Sequence, residues 1–273
     1  MSTKTVAFLD SGVGGIPYLA EVQRRRPDWR FAYVADNGAF PYGDKQPDEL
    51  CEVVEAVASA TVERIKPDAL VLACNTASVT ALAYVRSRLD LPIVGVVPAV
   101  KPAAGRSSVG RIGVLATSRT VADAYLDRLI QDFASDCVVT RVAAGDIVRF
   151  VENDLPGAEA RTIDAALRPG VEALREAGVD TVVLGCTHFL HVRDQLSALF
   201  GRDIVVVDSR DGVASRVISV VGGPDAADHT ADHTERPAPR SAAGRLYVTK
   251  NHDADAPMAW FAAKFGLEPA GLL

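Results

Sequence analysis

The sequence predicts an α/β fold with mainly parallel sheets flanked by helices. Short runs rich in Val, Ile and Leu recur along the 273 residues, and longer amphipathic segments separate them. The runs are continuously apolar rather than alternating, which is typical of strands covered on both faces. Strand followed by helix, repeated along the chain, indicates βαβ units.

The predicted elements follow in chain order. Strands are expected at residues 6–9, 31–34, 69–73, 93–97, 112–116, 137–142, 181–184 and 204–207. Helical apolar spacing predicts helices at 47–66, 77–89, 120–133 and 158–177. The Pro-, Gly- and Ala-rich stretch 222–245 is predicted as a loop, and it is followed by a strand at 245–249 and a helix at 256–265.

The length of the chain and a weak internal sequence similarity, here called an echo, predict two similar domains. A chain of this length is long for one domain and comfortable for two. Residues 69–76 (ALVLACNT) resemble residues 181–188 (TVVLGCTH), and 7–11 (AFLDS) echo 113–117 (GVLAT). We expect a first domain of residues 1–98 plus 208–273 and a second of residues 99–207, with the active site in the crevice between them.

Composition excludes several classes of protein. The net charge is −6, and no Lys/Arg cluster exceeds residues 24–26, which are predicted as a solvated helix end. This balance does not favour nucleic acid as a partner. No apolar run approaches the roughly 18 residues of a membrane span, and no signal-peptide pattern precedes the first strand. The four cysteines form no C-x-x-C pair, so a cytoplasmic location without disulfides is expected.

Polar residues cluster where the predicted strands end. In open parallel sheets, ligands bind beyond the carboxyl ends of the strands. The candidates there are Asp10, Ser11, Asp36, Pro41, Tyr42, Gly43, Cys74, Asn75, Thr76, Thr117, Thr120, Cys186, Thr187 and His188.

The glycines after the first strand allow two interpretations. Gly12 and Gly14 follow a strand and Asp36 ends the next one, as in a dinucleotide-binding fingerprint. That fingerprint needs a third glycine where this chain has Pro17, and Asp10 places a negative charge where pyrophosphate would approach. A tight turn whose backbone N–H groups approach a small anion is the better interpretation.

Two cysteines carry the strongest chemical signal. Cys74 and Cys186 each end a strand and begin a predicted helix, where the helix dipole favours thiolate over thiol. A free thiol has a pKa of about 8.5, so modest lowering makes a general base near neutral pH. Cys51 and Cys137 lack this context and are assigned to packing. The alternative is that Cys74 and Cys186 are also buried, unreactive residues that only contribute to packing.

Histidines offer a partner for one cysteine and a weaker metal hypothesis. His188 lies two residues after Cys186, which favours a general acid/base or thiolate-stabilising role. His229 and His233 have the i, i+4 spacing that could hold a metal on a helix, but neighbouring Pro and Gly favour a solvated linker. No metal site is therefore predicted, and His191, His229, His233 and His252 are expected to be dispensable.

Six segments taken together resemble the glutamate racemases. They are residues 9–15 (LDSGVGG), 35–45 (ADNGAFPYGDK), 73–78 (ACNTAS), 95–103 (GVVPAVKPA), 116–121 (ATSRTV) and 185–189 (GCTHF). Two positions depart from the family pattern. Residues 190–193 (LHVR) replace a Pro and apolar residues, and Arg210 stands where glycine is usual.

The resemblance implies a cofactor-independent, two-base racemase that acts on D- and L-glutamate. Cys74 would exchange the proton on the D-glutamate face with Asp10 beside it, and Cys186 the proton on the L-glutamate face with His188 and Glu152. The residues implied to hold the substrate are Asp10, Ser11, Pro41, Tyr42, Gly43, Asn75, Thr76, Thr117, Thr120, Thr187 and His188. The product D-glutamate would supply peptidoglycan synthesis, and a homodimer is compatible with the family.

Three other functions remain open on the sequence alone. The same chemistry could act on aspartate or a hydantoin, because pocket depth is not visible in a sequence. A racemase dependent on pyridoxal phosphate would need a Schiff-base lysine, and no lysine lies in a recognisable context. A non-catalytic binding protein on the same fold is opposed by the presence of both cysteines.

Overall fold

The computed structural model describes residues 3–223, 244–251 and 256–273. The chain divides into two compact units: a first unit of Met1–Val96 and Arg210–Leu273, and a second unit of Val97–Ser209. The predicted loop histidines His229 and His233, and also His252, lie outside the described residues.

Strands and helices alternate along the chain. The strands are β1 (Thr5–Asp10), β2 (Arg30–Ala35), β3 (Ala69–Leu72), β4 (Ile93–Gly95), β5 (Arg111–Ala116), β6 (Val138–Ala143), β7 (Thr181–Leu184), β8 (Val205–Val207), β9 (Gly244–Val248) and β10 (Leu267–Leu272). The helices are α1 (Ile16–Arg25), α2 (Pro47–Ile65), α3 (Asn75–Arg86), α4 (Val100–Ala104), α5 (Ser118–Ala122), α6 (Ala124–Phe133), α7 (Gly145–Asn153), α8 (Ala160–Glu176), α9 (Arg193–Phe200), α10 (Arg210–Gly222) and α11 (Ala256–Phe265). Two 3₁₀ helices span Tyr42–Asp44 and Thr187–Val192.

The first unit is built on a six-stranded sheet in the order β10-β9-β2-β1-β3-β4. All its strand pairs are parallel. The four residues of β3 are all fully buried, as the continuous apolar run predicts for a strand covered on both faces. The expected α/β class with parallel sheets flanked by helices is confirmed.

The second unit repeats the arrangement with four parallel strands in the order β6-β5-β7-β8. This order matches β2-β1-β3-β4 of the first unit, so β1 corresponds to β5 and β3 to β7. The two echoes in the sequence fall on these corresponding strands. Each echo therefore marks a repeated structural position.

The prediction of one continuous helix at 120–133 is wrong, because the structure has two helices there, α5 and α6. Helix α5 ends at Ala122, and Asp123 takes an extended conformation with φ −81° and ψ 134°. Its side chain accepts a hydrogen bond from the Tyr125 N–H at 2.8 Å and so caps the start of α6. Asp competes in this way with helical backbone bonding, which explains the break.

The predicted solvated helix end at residues 24–26 is wrong for its central member. Arg25 is 4% exposed and bonds to side chains of both α1 and α10. It donates to Glu21 Oε1 at 2.6 Å, to Asp211 Oδ1 at 2.6 Å and to Ser215 Oγ at 3.1 Å. Arg25 therefore joins α1 to α10, two segments separated by most of the sequence.

Candidate active site

In the first unit, Asp10 and Cys74 end two neighbouring strands at the same sheet edge. Leu9 of β1 pairs with Leu72 of β3, and the Ala73 N–H donates to the Leu9 carbonyl at 2.7 Å. Asp10 directly follows Leu9, and Cys74 directly follows Ala73. Asp10 is fully buried and Cys74 is 7% exposed. The topology thus brings together an acid and a thiol that are distant in sequence.

A turn of small residues follows Asp10 and holds its carboxylate. The Ser11 N–H donates to Asp10 Oδ1 at 2.7 Å. The buried Tyr33 hydroxyl donates to the Gly12 carbonyl at 2.7 Å and accepts from the Gly15 N–H at 3.0 Å. A Cβ at Gly15 would lie 2.5 Å from the Cβ of Ala73, so only glycine allows this approach to the segment that carries Cys74.

Cys74 is the N-cap residue of α3 and has an extended backbone with φ −131° and ψ 124°. The helix begins at Asn75, two residues before the predicted start, so Asn75 and Thr76 occupy its first turn. Asn75 is 2% exposed, and neither Nδ2 nor Oδ1 has a hydrogen-bond partner among the described residues. Buried amides are ordinarily paired, so this one is available to a ligand.

Tyr42 extends the first-unit cluster. Its hydroxyl donates to Asp36 Oδ2 at 2.8 Å, and its side chain is buried. Burial, together with the nearby carboxyl of Asp36 and then Cys74 and Asp10, raises the pKa of Tyr42 well above its usual value. The phenol therefore remains a hydrogen-bond donor. Its chain neighbours Pro41 and Gly43 are half-buried beside it.

In the second unit, Cys186 lies at the strand end that corresponds to that of Cys74, and Thr117 lies at the position that corresponds to Ser11. Leu115 of β5 pairs with Leu184 of β7, and the Gly185 N–H donates to the Leu115 carbonyl at 2.7 Å. Cys186 is 6% exposed. It therefore stands in the second sheet where Cys74 stands in the first.

Threonine hydroxyls surround this strand end. Thr117 caps α5, and its Oγ1 accepts from the Thr120 N–H at 3.2 Å and donates to Thr120 Oγ1 at 3.0 Å. Thr120 is fully buried and Thr187 is 1% exposed. Hydroxyl groups at this position can donate to a carboxylate or accept from an ammonium group.

His188 connects Cys186 to a carboxylate. Its Nδ1 lies 3.8 Å from Cys186 Sγ, and its Nε2 lies 2.6 Å from Oε1 of Glu152 on α7. Burial alone would lower the pKa of His188, but hydrogen bonds to Cys186 and Glu152, together with the negative charge of Glu152, raise it well above its usual value. His188 is therefore set up as an imidazolium beside the thiol. Glu152 had no distinguishing sequence signal of its own.

The helix expected after Cys186 has a different form. Residues Thr187–Val192 make a 3₁₀ helix, and α9 begins only at Arg193. Side chains three residues apart eclipse in this tighter helix. Cys186 is its N-cap residue, with φ −138° and ψ 137°, close to the conformation of Cys74.

The other two cysteines pack against apolar clusters. Cys51 is half-buried on α2 beside the first-unit core, and Cys137 is half-buried beside the core of the second unit. Burial and the nearby Asp48 raise the pKa of Cys51, which keeps it a thiol.

Within residues 3–223, 244–251 and 256–273, none of the helices combines the length and the apolar character that a membrane span requires. Three or more His, Cys, Asp or Glu side chains suited to holding a metal ion do not come together in that part of the chain.

Sequence comparisons assign the family. The model of the Asp/Glu/hydantoin racemases matches residues 32–217. The glutamate racemase of Sphingopyxis alaskensis is 41% identical over 227 residues, which cover 80% of this chain and 82% of that protein. The glutamate racemase of Shewanella woodyi is 38% identical over 216 residues, which cover 79% and 80%.

A solved structure agrees with the sequence relatives. The Escherichia coli glutamate racemase, in complex with L-glutamate and the activator UDP-MurNAc-Ala, superposes with a TM-score of 0.85 at 33% identity. The match covers 100% of this chain and 98% of that one. The resemblance carried by the six sequence segments is thereby confirmed. The chain belongs to the Asp/Glu/hydantoin racemase family and is an amino-acid isomerase of the glutamate racemase type.

Proposed function

We propose that this enzyme interconverts L- and D-glutamate without a cofactor, using Cys74 and Cys186 as its two acid/base groups. One observation carries the proposal: each unit places a buried cysteine at the same topological position, after β3 in one and after β7 in the other. Each thiol also has an acid/base partner nearby, Asp10 for the first and the His188–Glu152 pair for the second.

Inversion at the α-carbon needs a base on one face and an acid on the other. One cysteine, as thiolate, takes the α-proton, and the electron pair of the broken C–H bond stays on the α-carbon as a carbanion. The other cysteine, as thiol, gives its proton to the opposite face and becomes the thiolate. In our proposal Cys74 serves the D-glutamate face and Cys186 the L-glutamate face.

The environment of Cys186 supports its role on the L-glutamate face. Glu152 holds His188 by the hydrogen bond of 2.6 Å and favours the imidazolium form. An imidazolium 3.8 Å from Sγ stabilises the thiolate that starts the reaction from L-glutamate. In the first unit, we propose that the buried Asp10 carboxylate assists Cys74.

Small polar groups complete the proposed substrate site. The charges of glutamate require donors for two carboxylates and acceptors for one ammonium group. The unsatisfied amide of Asn75 supports this assignment, because it offers both kinds of group in a buried position. The proposed substrate-binding residues are Asp10, Ser11, Pro41, Tyr42, Gly43, Asn75, Thr76, Thr117, Thr120, Thr187 and His188.

Circular dichroism of the purified protein tests the function. Either enantiomer of glutamate should lose its optical signal until the mixture is equal, with no cofactor added and with chelator present. Aspartate and a hydantoin serve as comparison substrates. A parallel arm contains UDP-MurNAc-Ala, the activator bound in the E. coli structure, so that a missing activator is not mistaken for inactivity. Turnover that depends on pyridoxal phosphate or on a metal would overturn the proposal.

Matched cysteine variants test the mechanism. Cys74→Ala and Cys186→Ala should each abolish net inversion in both directions, because either direction needs both groups. Cys51→Ala is the control and should retain the parent rate. Full racemisation by either catalytic-position variant would replace the two-base mechanism with a one-base mechanism.

We further propose that the two compact units are the two domains of the enzyme and that its D-glutamate supplies peptidoglycan synthesis in the cytoplasm. A bacterium that requires D-glutamate should grow without it when this chain is expressed, and the Cys186→Ala variant should fail to support growth. Light scattering tests the homodimer that the family resemblance allows.

A further inference from the structure

The carboxylate of Asp36 is held between two hydroxyl groups. Asp36 directly follows β2 and is 3% exposed. Its Oδ2 accepts from the Tyr42 hydroxyl at 2.8 Å, and its Oδ1 accepts from the Thr249 hydroxyl at 2.6 Å. Each oxygen thus has its own donor, and the two bonds together fix the orientation of the carboxylate plane.

Thr249 reaches this point from the far end of the chain. It directly follows β9, whose Val248 pairs with Ala35 of β2, and it lies outside the 32–217 segment that matches the family model. Its Oγ1 also accepts from the Gly38 N–H at 3.0 Å, so the hydroxyl accepts from the loop and donates to Asp36.

Asn37 strengthens the attachment of this segment. Its Oδ1 accepts from the Thr249 N–H at 3.1 Å and from the Lys250 N–H at 3.0 Å. Its Nδ2 donates to the Lys250 carbonyl at 2.9 Å. These backbone bonds hold residues 249–250 in place without the Thr249 side chain, so the hydroxyl can be removed while its segment stays attached.

We propose that Thr249 is a positioning residue for glutamate, acting through Asp36 on Tyr42. The inference rests on the proposed substrate-binding role of Tyr42. With the Thr249 donor present, Asp36 presents Oδ2 to the phenol in one orientation. Without it, the carboxylate is free to turn about its terminal bond, and the Tyr42 side chain loses its fixed partner.

Kinetics of matched variants test this role. Thr249→Val keeps the shape and removes the hydroxyl, and it should raise KM for glutamate by about 3- to 30-fold, the range of one lost hydrogen bond. The kcat should change by less than about threefold, because loss of uniform binding acts on KM. Thr249→Ser keeps the hydroxyl and should hold KM within about twofold of the parent.

Thr181→Val is the control for the loss of a threonine hydroxyl that makes no contact with the proposed site. The Thr181 hydroxyl is fully buried and has no partner in the described part of the chain. This variant should leave KM unchanged. A KM in Thr249→Val equal to that of the parent, or a Thr249→Ser enzyme as impaired as Thr249→Val, would overturn the positioning role.

A double-mutant cycle separates action through Tyr42 from general support of the sheet. In a Tyr42→Phe background, adding Thr249→Val should change KM by less than about twofold, because the phenol that Asp36 orients is already absent. The same fold-change in both backgrounds would overturn the inference. A parent protein that does not turn over glutamate contradicts the proposed function, whereas an active parent with additive variants contradicts only the role of Thr249.

Discussion

Glu152, together with Cys186, raises the pKa of His188, and the effect of Glu152 should be visible in the pH dependence of the rate. Glu152→Gln keeps the shape but removes the negative charge, so the pKa of His188 should fall. The alkaline limb of kcat/KM for L-glutamate should therefore move to lower pH. Glu159→Gln, at a side chain that is 78% exposed, is the control and should leave the profile unchanged.

Glu152→Gln should also change how the stability of the folded protein depends on pH. The pKa of His188 is higher in the folded state than in the unfolded state, so protonation of His188 stabilises the fold. This stabilisation is fully present below the unfolded-state pKa of about 6.5 and is lost as the pH rises through the folded-state pKa. The difference in melting temperature between parent and Glu152→Gln should therefore be largest at acidic to neutral pH and shrink at alkaline pH. A difference that grows with pH would contradict the imidazolium assignment.

Hydrogen exchange with solvent tests which cysteine serves which enantiomer. Abstraction of the α-proton needs only the cysteine on that face. In deuterated solvent, Cys186→Ala should exchange the α-proton of D-glutamate and not that of L-glutamate, and Cys74→Ala should show the reverse. Mass spectrometry of recovered substrate measures both. The opposite preference would exchange the two face assignments and leave the enzyme class intact.

Residues that depend on local context could be predicted from the sequence, and residues that depend on distant contacts could not. Cys74 and Cys186 each follow an apolar run, and that context is local. Glu152 looks like any acidic residue on a helix, because its partner His188 lies 36 positions further along the chain. Thr249 meets Asp36 across 213 positions through the pairing of β9 with β2, which no local pattern encodes.

At the level of elements, the packing of α1 on α10 depends on a buried arginine. Arg25→Ala removes its bonds to Glu21, Asp211 and Ser215 and should lower the free energy of unfolding by about 1–3 kcal/mol. The expected loss is modest because the Asp211 side chain is 89% exposed and solvent screens its ion pair with Arg25. Arg24→Ala, at a side chain that is 55% exposed, should change the free energy of unfolding by less than about 0.5 kcal/mol. Urea unfolding measures both, and equal losses would contradict the assignment.

The turn after β1 depends on one hydroxyl group. Tyr33→Phe leaves the Gly15 N–H and the Gly12 carbonyl without their buried partner and should cost about 1–3 kcal/mol of stability. Amide exchange at Gly15 should accelerate more than exchange in the second unit. Tyr84→Phe, at a half-buried tyrosine with Arg88 over its ring, is the control and should change little. Unchanged stability in Tyr33→Phe would show that the turn does not need the hydroxyl.

Element types were predictable where the apolar pattern was long, and element ends were less so. The strands followed from continuous Val, Ile and Leu runs. The break at Asp123 was missed because a side-chain cap interrupts the helix while the apolar spacing continues through it. The 3₁₀ form of Thr187–Val192 was missed because its sequence carries no breaker.

At the scale of the whole molecule, we expect the less exposed cysteines to react faster than the more exposed ones. Cys51 and Cys137 are half-buried, whereas Cys74 and Cys186 are only 7% and 6% exposed. Access alone therefore predicts faster alkylation of the first two. We expect iodoacetamide near pH 7 to label Cys74 or Cys186 first, with glutamate giving protection, because thiolate character outweighs access. Peptide mapping that finds Cys51 and Cys137 labelled first would contradict activation.

The repeated strand order also could be predicted only in part. The two echoes indicated similar lobes, but the order β2-β1-β3-β4 and its counterpart depend on which strands pair, and periodicity does not encode pairing. The two additional strands of the first unit, β9 and β10, have no counterpart in the second sheet.

The position of β9 in the first sheet has a consequence for how the enzyme is made on the ribosome. Strands β1 to β4 and the entire second unit are translated before β9, so the sheet beside β2 stays incomplete until β9 has been synthesised. A nascent chain halted after residue 223 would already contain all four cysteines and yet lack the hydroxyl that orients Asp36. In our proposal, full substrate affinity would then be acquired only once Thr249 has been synthesised and has paired with Asp36, and products terminated before it would bind glutamate poorly.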